Sequence, residues 1–213
     1  MTSSSRARPR AIDFHAHIIV PEVYALAAEH NIFSELPTDP GVTDEMRSRI
    51  KDRAAVVLAR MSDLTDRIVN MDAMGVDVQV LSASLVHQGL EWADAQTSLR
   101  LARTTNDWIA NAVAAHPARL SGLGTLPLHV PALAVGELVR CVRELGLKGA
   151  AISTTAGPME LGDPELRPFW GKAEELGAVI YIHPGATAIA ASSAFISGTA
   201  WARRSRRRWR FPR

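Results

Sequence analysis

The chain of 213 residues has one cysteine, Cys141. No intrachain disulfide can form, and a reducing compartment such as the cytoplasm fits. Cys141 falls within an apolar helical pattern and reads as a small buried hydrophobe rather than a nucleophile. No apolar run approaches the roughly 20 residues a membrane helix needs, so no membrane partner is expected. No G-x-G-x-x-G follows a predicted strand, and the dinucleotide-binding fingerprint is therefore missing. Met1 to Arg10 is rich in Ser and Arg but lacks the apolar centre of a secretory signal. It reads as a disordered leader.

Acidic residues are missing from one place in particular. Residues 201–213 hold seven of the 24 Lys and Arg and no acid, so the remainder carries 17 bases against 22 acids. The body is mildly acidic and the tail strongly basic. Arginines interleaved with Trp209 and Phe211 resemble a patch for nucleic acid or a membrane surface. An Arg-rich disordered end, or a continuation altered by a shift of reading frame, accounts better for the abrupt change of texture. No nucleic-acid partner is expected.

What is present is an alternation of strand and helix patterns. Ala11–His15, Val76–Ser82, Leu120–Leu126, Lys148–Ser153 and Ala178–His183 read as strands. Between them, apolar spacing and end signals predict helices from Pro21 to about His30, from Thr43 towards Met61, through Leu64, Ile68 and Met71 to Gly75, over Asp94–Ala115, after Pro131 to Gly146, and over Pro164–Leu176. Asn31–Thr43, Ser84–Trp92 and Thr154–Asp163 read as loops. The order βαβαβαβαβ argues for a parallel sheet with crossover helices. A doubly wound sheet and a (β/α)8 barrel both satisfy it.

The histidines favour the barrel. His15 and His17 share a strand face, about 7 Å apart along the strand. Two imidazoles converging at a strand end make half of a metal site. His183 ends the fifth strand in Tyr-Ile-His-Pro-Gly and would point into the same barrel mouth, where the active site of such a barrel lies. Three protein ligands and an open position suit a catalytic zinc. Asp13 falls on the histidines' face by the same alternation; it either orients an imidazole or caps a buried polar contact. His87 and His129 lie in loops on the active-site side and rank lower as substrate contacts. His30 and His116 sit at helix ends, where solvated or dipole-capping roles suit them. Lys148 starts its strand instead of ending it, which argues against a metal-bridging role. Trp92 and Trp170 read as packing residues. A barrel needs eight strands and about 250 residues. Five strands are legible, so the expected fold is an incomplete TIM (β/α)8-type barrel over residues 11–190, followed by an atypical tail over 191–213.

Several segments carry a resemblance. They are Asp13-Phe14-His15-Ala16-His17, the stretch from Arg67 to Ser82, Asn106-Asp107, His116-Pro117-Ala118-Arg119, Gly122 to Leu128, Leu145 to Gly149, and His183-Pro184-Gly185. In this order the chain resembles the amidohydrolase-related family that includes aminocarboxymuconate-semialdehyde decarboxylase and γ-resorcylate decarboxylase. The resemblance implies a distorted TIM barrel with one divalent metal, usually Zn2+ and sometimes Mn2+, with His15, His17 and His183 at the positions of metal ligands. It also implies a catalytic histidine and a metal-binding aspartate further along, for which this chain has no counterpart. The expectation is a C-terminally truncated member of that family. As an enzyme it would be a metal-dependent carboxy-lyase acting on an unsaturated or aromatic carboxylic acid. A metal-dependent hydrolase on the same scaffold is the alternative reaction. A catalytically silent fragment, associating with a second copy or a partner through open sheet edges, is the alternative of a different class.

Overall fold

The computed structural model describes residues 10–29, 43–83, 87 and 90–183. Local chemistry sets the ends of its helices. Asp63 has extended backbone and accepts the Thr65 and Asp66 amides at 2.7 and 3.2 Å, opening α3 (Leu64–Met74). Gly75 closes α3 with φ 69°, a left-handed conformation that costs glycine little. Asp94 caps α4 (Ala95–Ala115) in the same way, through Gln96 and Thr97. Pro131 opens α5 (Pro131–Arg143) at a position where its missing N–H has no helical partner to lose. The remaining helices are α1 (Pro21–Glu29), α2 (Asp44–Ser62) and α6 (Arg167–Leu176).

The strands are β1 (Ile12–Ile18), β2 (Val78–Ala83), β3 (Leu120–Gly122), β4 (Gly149–Ile152) and β7 (Val179–Ile182), all parallel to their neighbours. Between β4 and α6 lies a short antiparallel hairpin, β5 (Thr155–Ala156) and β6 (Met159–Glu160). β1-β2-β3 and β4-β7 join at a parallel bridge between Gly124 and Ala150, with the Gly124 amide donating to Gly149 at 2.9 Å. The order is thus β1-β2-β3-β4-β7, a five-stranded arc of a TIM (β/α)8-type barrel with helices on its outer face. Gly149, at φ 148°, lets β7 approach: a Cβ there would overlap the Val179 carbonyl.

Apolar side chains fill three layers. Ile18, Met71, Leu81 and Ile109 pack between β1–β3 and the early helices. Leu138, Ile152, Leu166 and Phe169 pack around β4, α5 and α6. Val80, Leu123 and Ala151 form a small inner layer beside Tyr181. Each large side chain fully buried in this way contributes about 1.5–3 kcal/mol.

Four details differ from the sequence reading, the first being β1, which runs to Ile18 and so contains His17 where the sequence predicts a strand ending at His15. The third strand is shorter than Leu120–Leu126, because beyond Gly122 the backbone bonds alternately to β2 (Leu123 to Leu81) and β4 (Gly124 to Gly149). Residues 154–163 contain the β5–β6 hairpin. Helix α4 carries polar side chains on its buried stripe, Ser98, Thr105 and Asn106 among them. Asn106 finds its partners in the Thr125 backbone, donating to the carbonyl at 3.0 Å and accepting the amide at 2.7 Å, and the Ser98 hydroxyl donates to the Ala95 carbonyl at 3.1 Å. The leader, His30, most of the loop before Thr43 and the Arg-rich stretch with Trp209 and Phe211 lie outside the described residues. Among the described residues no helix is long and apolar enough to cross a membrane.

Candidate metal centre

Strand β1 is not regular. Asp13 pairs with Gln79 and Ala16 with Leu81, so two residues, Phe14 and His15, stand opposite Val80 alone. This is a β-bulge, which shifts the alternation by one and re-aims the side chains beyond it. Ala16 and Ile18 pack outward against the helices, while His15 and His17 turn towards β7. His183, immediately after β7, donates its backbone amide to Ile152 at 2.8 Å and is thereby held in line with the sheet.

The three histidines meet at their Nε2 atoms. The separations are 2.9 Å for His15 and His17, 3.0 Å for His15 and His183, and 3.1 Å for His17 and His183. The rings stand nearly perpendicular to one another, with interplanar angles of 76–85°. A ring N–H points in one direction only, so a triangle of three imidazole nitrogens does not satisfy itself. Three lone pairs aimed at a common point are what a cation requires, and neutral imidazole is a donor for divalent transition metals. Among the described residues, His15, His17 and His183 form a group able to hold a metal ion, and no carboxylate belongs to it.

His17 is neutral at pH 7. Burial chiefly, then the neighbouring His183 and His15, lower its pKa from 6.5 to about 4. Hydrogen bonds to the backbone at Ser82 and Ala83 act in the opposite direction, and the Ser82 hydroxyl lies 3.4 Å from Nδ1. These contacts fix the ring from the side away from the cluster, as a metal-binding histidine requires. Tyr181, two residues before His183 on the same strand face, sets its ring 6.0 Å from His15 and 5.9 Å from His183. Phe14 packs edge-on to Tyr181 at 5.5 Å.

The other polar candidates fall elsewhere. Asp13 is not on the histidines' face. The bulge turns it to the helix side, where its carboxylate accepts the Gln79 side-chain amide at 2.9 Å and the His15 backbone amide at 3.0 Å. Of the two roles open to it, the polar-contact cap is the one the structure shows. His87 is fully buried, and its Nε2 accepts the Val20 amide at 2.9 Å, so it braces the end of β1 and does not face a substrate. His129 is half-buried beside Gly157, in the connection between β3 and α5. His116 caps α4 through its backbone amide. Lys148 is exposed at the start of β4, the end of that strand away from the histidines. Trp92 and Trp170 pack against the two outer layers. Cys141 is buried against Gly124, as expected of a small hydrophobe. The sequence reading passed over Tyr181 and Ser82. Tyr181 carries the same two-residue spacing from His183 that linked His15 to His17.

A parallel β/α arc with a three-histidine cluster at the carboxyl ends of its strands defines a metal-binding type of barrel protein. The chain belongs to the amidohydrolase family: residues 12–207 match the family model Amidohydro_2. It is 42% identical over 118 residues to 2-amino-3-carboxymuconate-6-semialdehyde decarboxylase of Dictyostelium discoideum, a match covering 55% of this chain and 33% of that relative. Among solved structures it resembles a dihydroxybenzoic acid decarboxylase from Polaromonas sp. JS666, determined with manganese and the inhibitor 2-nitroresorcinol. The TM-score is 0.67 at 28% identity, covering 91% of this chain and 55% of that one. It also resembles 5-carboxyvanillate decarboxylase from Sphingomonas paucimobilis, with TM-score 0.66 at 33% identity, covering 82% and 52%. The chain therefore spans about a third of the curated relative and about half of each solved chain.

Proposed function

We propose that the chain carries the metal centre of a decarboxylase acting on an aromatic or unsaturated carboxylic acid, with His15, His17 and His183 as ligands of one divalent ion. The observation that carries this reading is the convergence of three Nε2 atoms within 3.1 Å at the carboxyl ends of the first and last strands. The names of the relatives supply the reaction class. An ion bound there supplies a Lewis acid for substrate oxygens. The remaining roles fall to the chain's own residues. His17 is held neutral and presents a lone pair instead of a proton. Ser82 and the β2 backbone fix its ring. Tyr181 and Phe14 place aromatic surface beside the cluster, against which a planar acid can pack.

Three imidazoles favour zinc on donor softness, while manganese prefers oxygen donors; the Polaromonas structure holds manganese. We assign zinc to the three-histidine set. The test is reconstitution of the metal-free chain with Zn2+ or Mn2+, followed by CO₂ release from 2,6-dihydroxybenzoate and 5-carboxyvanillate, with lactone hydrolysis measured in parallel. Metal-dependent CO₂ release that His183→Ala abolishes supports the proposal. Hydrolysis without CO₂ release transfers the scaffold to the hydrolase reading. Stoichiometric metal binding without turnover of any of these compounds rejects the activity and leaves a metal-binding chain.

A further inference from the structure

The β1 bulge aims His15 and His17, and one side chain outside the cluster grips it from both ends. Arg67 of α3 donates from Nη2 to the His17 carbonyl at 2.7 Å and from Nη1 to Gln79 Oε1 at 3.1 Å. Gln79 in turn donates from Nε2 to Asp13 Oδ2 at 2.9 Å, and Asp13 Oδ1 accepts the His15 amide at 3.0 Å. The path runs from the backbone of one histidine, through three side chains, to the backbone of the other. Nη2 also reaches the Met61 carbonyl at the end of α2, at 3.4 Å. Gln79 is buried at the ladder position opposite Asp13, so neither amide end of it is free to turn to water. A bulge leaves a residue without its regular ladder partner. Here the Asp13 carboxylate takes the amide of His15, one of the two bulged residues.

We propose that Arg67 is a positioning residue for the metal centre, holding the β1 bulge through the His17 carbonyl and, by way of Gln79 and Asp13, through the His15 amide. The inference rests on His15 and His17 being ligands, as proposed above. A guanidinium suits the task because its planar fork serves two acceptors at fixed directions, which the single ammonium of lysine does not. Burial pulls the Arg67 pKa down and the Asp13 carboxylate pulls it back. That opposition ties the guanidinium electrostatically to the same carboxylate that caps the bulge.

The test uses the full chain and Co2+ as the probe, with two readouts: Co2+ affinity followed through its visible absorption, and exchange of the His15 backbone amide in metal-free protein. Arg67→Met and Arg67→Lys are each expected to weaken Co2+ binding 10–100-fold, the range for residues that orient ligands, and to speed His15 amide exchange. Asp13→Asn, nearly isosteric, presents an amide donor to the Gln79 donor and is expected to move both readouts the same way by less. Asn106→Ala, which disturbs packing on the far side of the sheet, should move neither in the folded protein. Co2+ affinity within twofold of wild type in folded Arg67→Met, with the His15 amide still protected, overturns the proposal. Should Arg67→Met not fold, Arg67→Lys and Asp13→Asn decide on the same criteria. If wild type itself binds no Co2+, the ligand reading falls, and with it the role of Arg67 at a metal centre. His15 amide exchange then reports only whether Arg67 holds the bulge.

Discussion

Two groups of polar side chains lie on opposite sides of the same sheet, and they are built on opposite principles. Between α4, α5 and the end of β3, Glu137 is fully buried and accepts from Asn106 at 2.8 Å and from Arg103 and Arg140 at 3.2 Å each. Asn106 continues to both backbone groups of Thr125, whose hydroxyl donates to the His87 carbonyl. His87 then takes the Val20 amide. Donors and acceptors alternate along the whole path, and each group meets its complement. At the barrel mouth, three like imidazoles bring their Nε2 atoms within 3.1 Å of one another. Buried polar groups that satisfy one another serve the fold. Like groups brought together at one point fit the metal ligation proposed for them.

The sharpest way to break this contrast is to remove one member of the cluster. His183→Ala is expected to abolish stoichiometric metal binding, measured by elemental analysis after gel filtration. The metal-free protein should change in stability by no more than about 1 kcal/mol, since the His183 ring is only half-buried and packs against Tyr181 and the other two imidazoles. A large loss of stability in the metal-free state would mean that the histidines hold the fold together and do not wait for an ion. Next comes Gly149→Ala, which strikes between the two regions. A Cβ there overlaps the Val179 carbonyl, and φ is 148°. The β4–β7 pairing must loosen, at a cost of about 3 kcal/mol by analogy with overpacked cores. Because β7 carries His183, metal affinity should fall in step with stability in a denaturation and binding series.

Glu137→Ala is expected to give the reverse of His183→Ala. It leaves the Asn106 side chain and two guanidinium groups short of an acceptor. Removing one partner of a buried pair costs about 3–5 kcal/mol. Arg103 is 55% exposed and Arg140 keeps Asp107 at 2.6 Å, so about 2–3 kcal/mol is expected once solvent is allowed for. Urea denaturation measures it. Metal bound per folded molecule should not change; if it does, the two networks are coupled through His87 and Val20 and cannot be treated as separate.

The difference between the regions also explains what could be read from the chain. His15, His17 and His183 were legible because a two-residue spacing and a strand end before Pro-Gly are local patterns. Helix ends at Gly75 and Asp94 were legible for the same reason, each being a matter of neighbouring residues. Asp13 was misplaced because a bulge shifts the alternation by one residue, and nothing local in Asp13-Phe14-His15 marks the extra residue. The bulge is visible only once β1 is paired with β2. His87 ranked as a weak candidate for substrate contact because its loop lies on the active-site side. Its burial follows from the carbonyl it offers Thr125, 38 residues away in sequence. Asn106 and Glu137 carried no signal as buried residues, since polar groups on amphipathic helices ordinarily face water. Only the pairing of α4 with α5 and β3 gives them partners.

Cys141 supplies the smallest effect and the finest probe of the closed region. It lies fully buried on α5, with Sγ 4.0 Å from Glu137 Oε1. Burial first, and then the adjacent carboxylate, push the thiol pKa far above its ordinary value, so thiolate is scarce at pH 8. Iodoacetamide should therefore label the native chain only as fast as the α5 face opens, and label the urea-unfolded chain freely. Cys141→Ala should cost about 1 kcal/mol, the loss of one small buried group beside Gly124. Glu137→Ala should speed labelling of Cys141 in the otherwise folded protein, because the network that shuts α5 against α4 is broken. His183→Ala should leave the labelling rate unchanged. Equal acceleration by both variants would show that the barrel mouth and the helix pair open together, and that the sheet between them does not separate a binding region from a structural one.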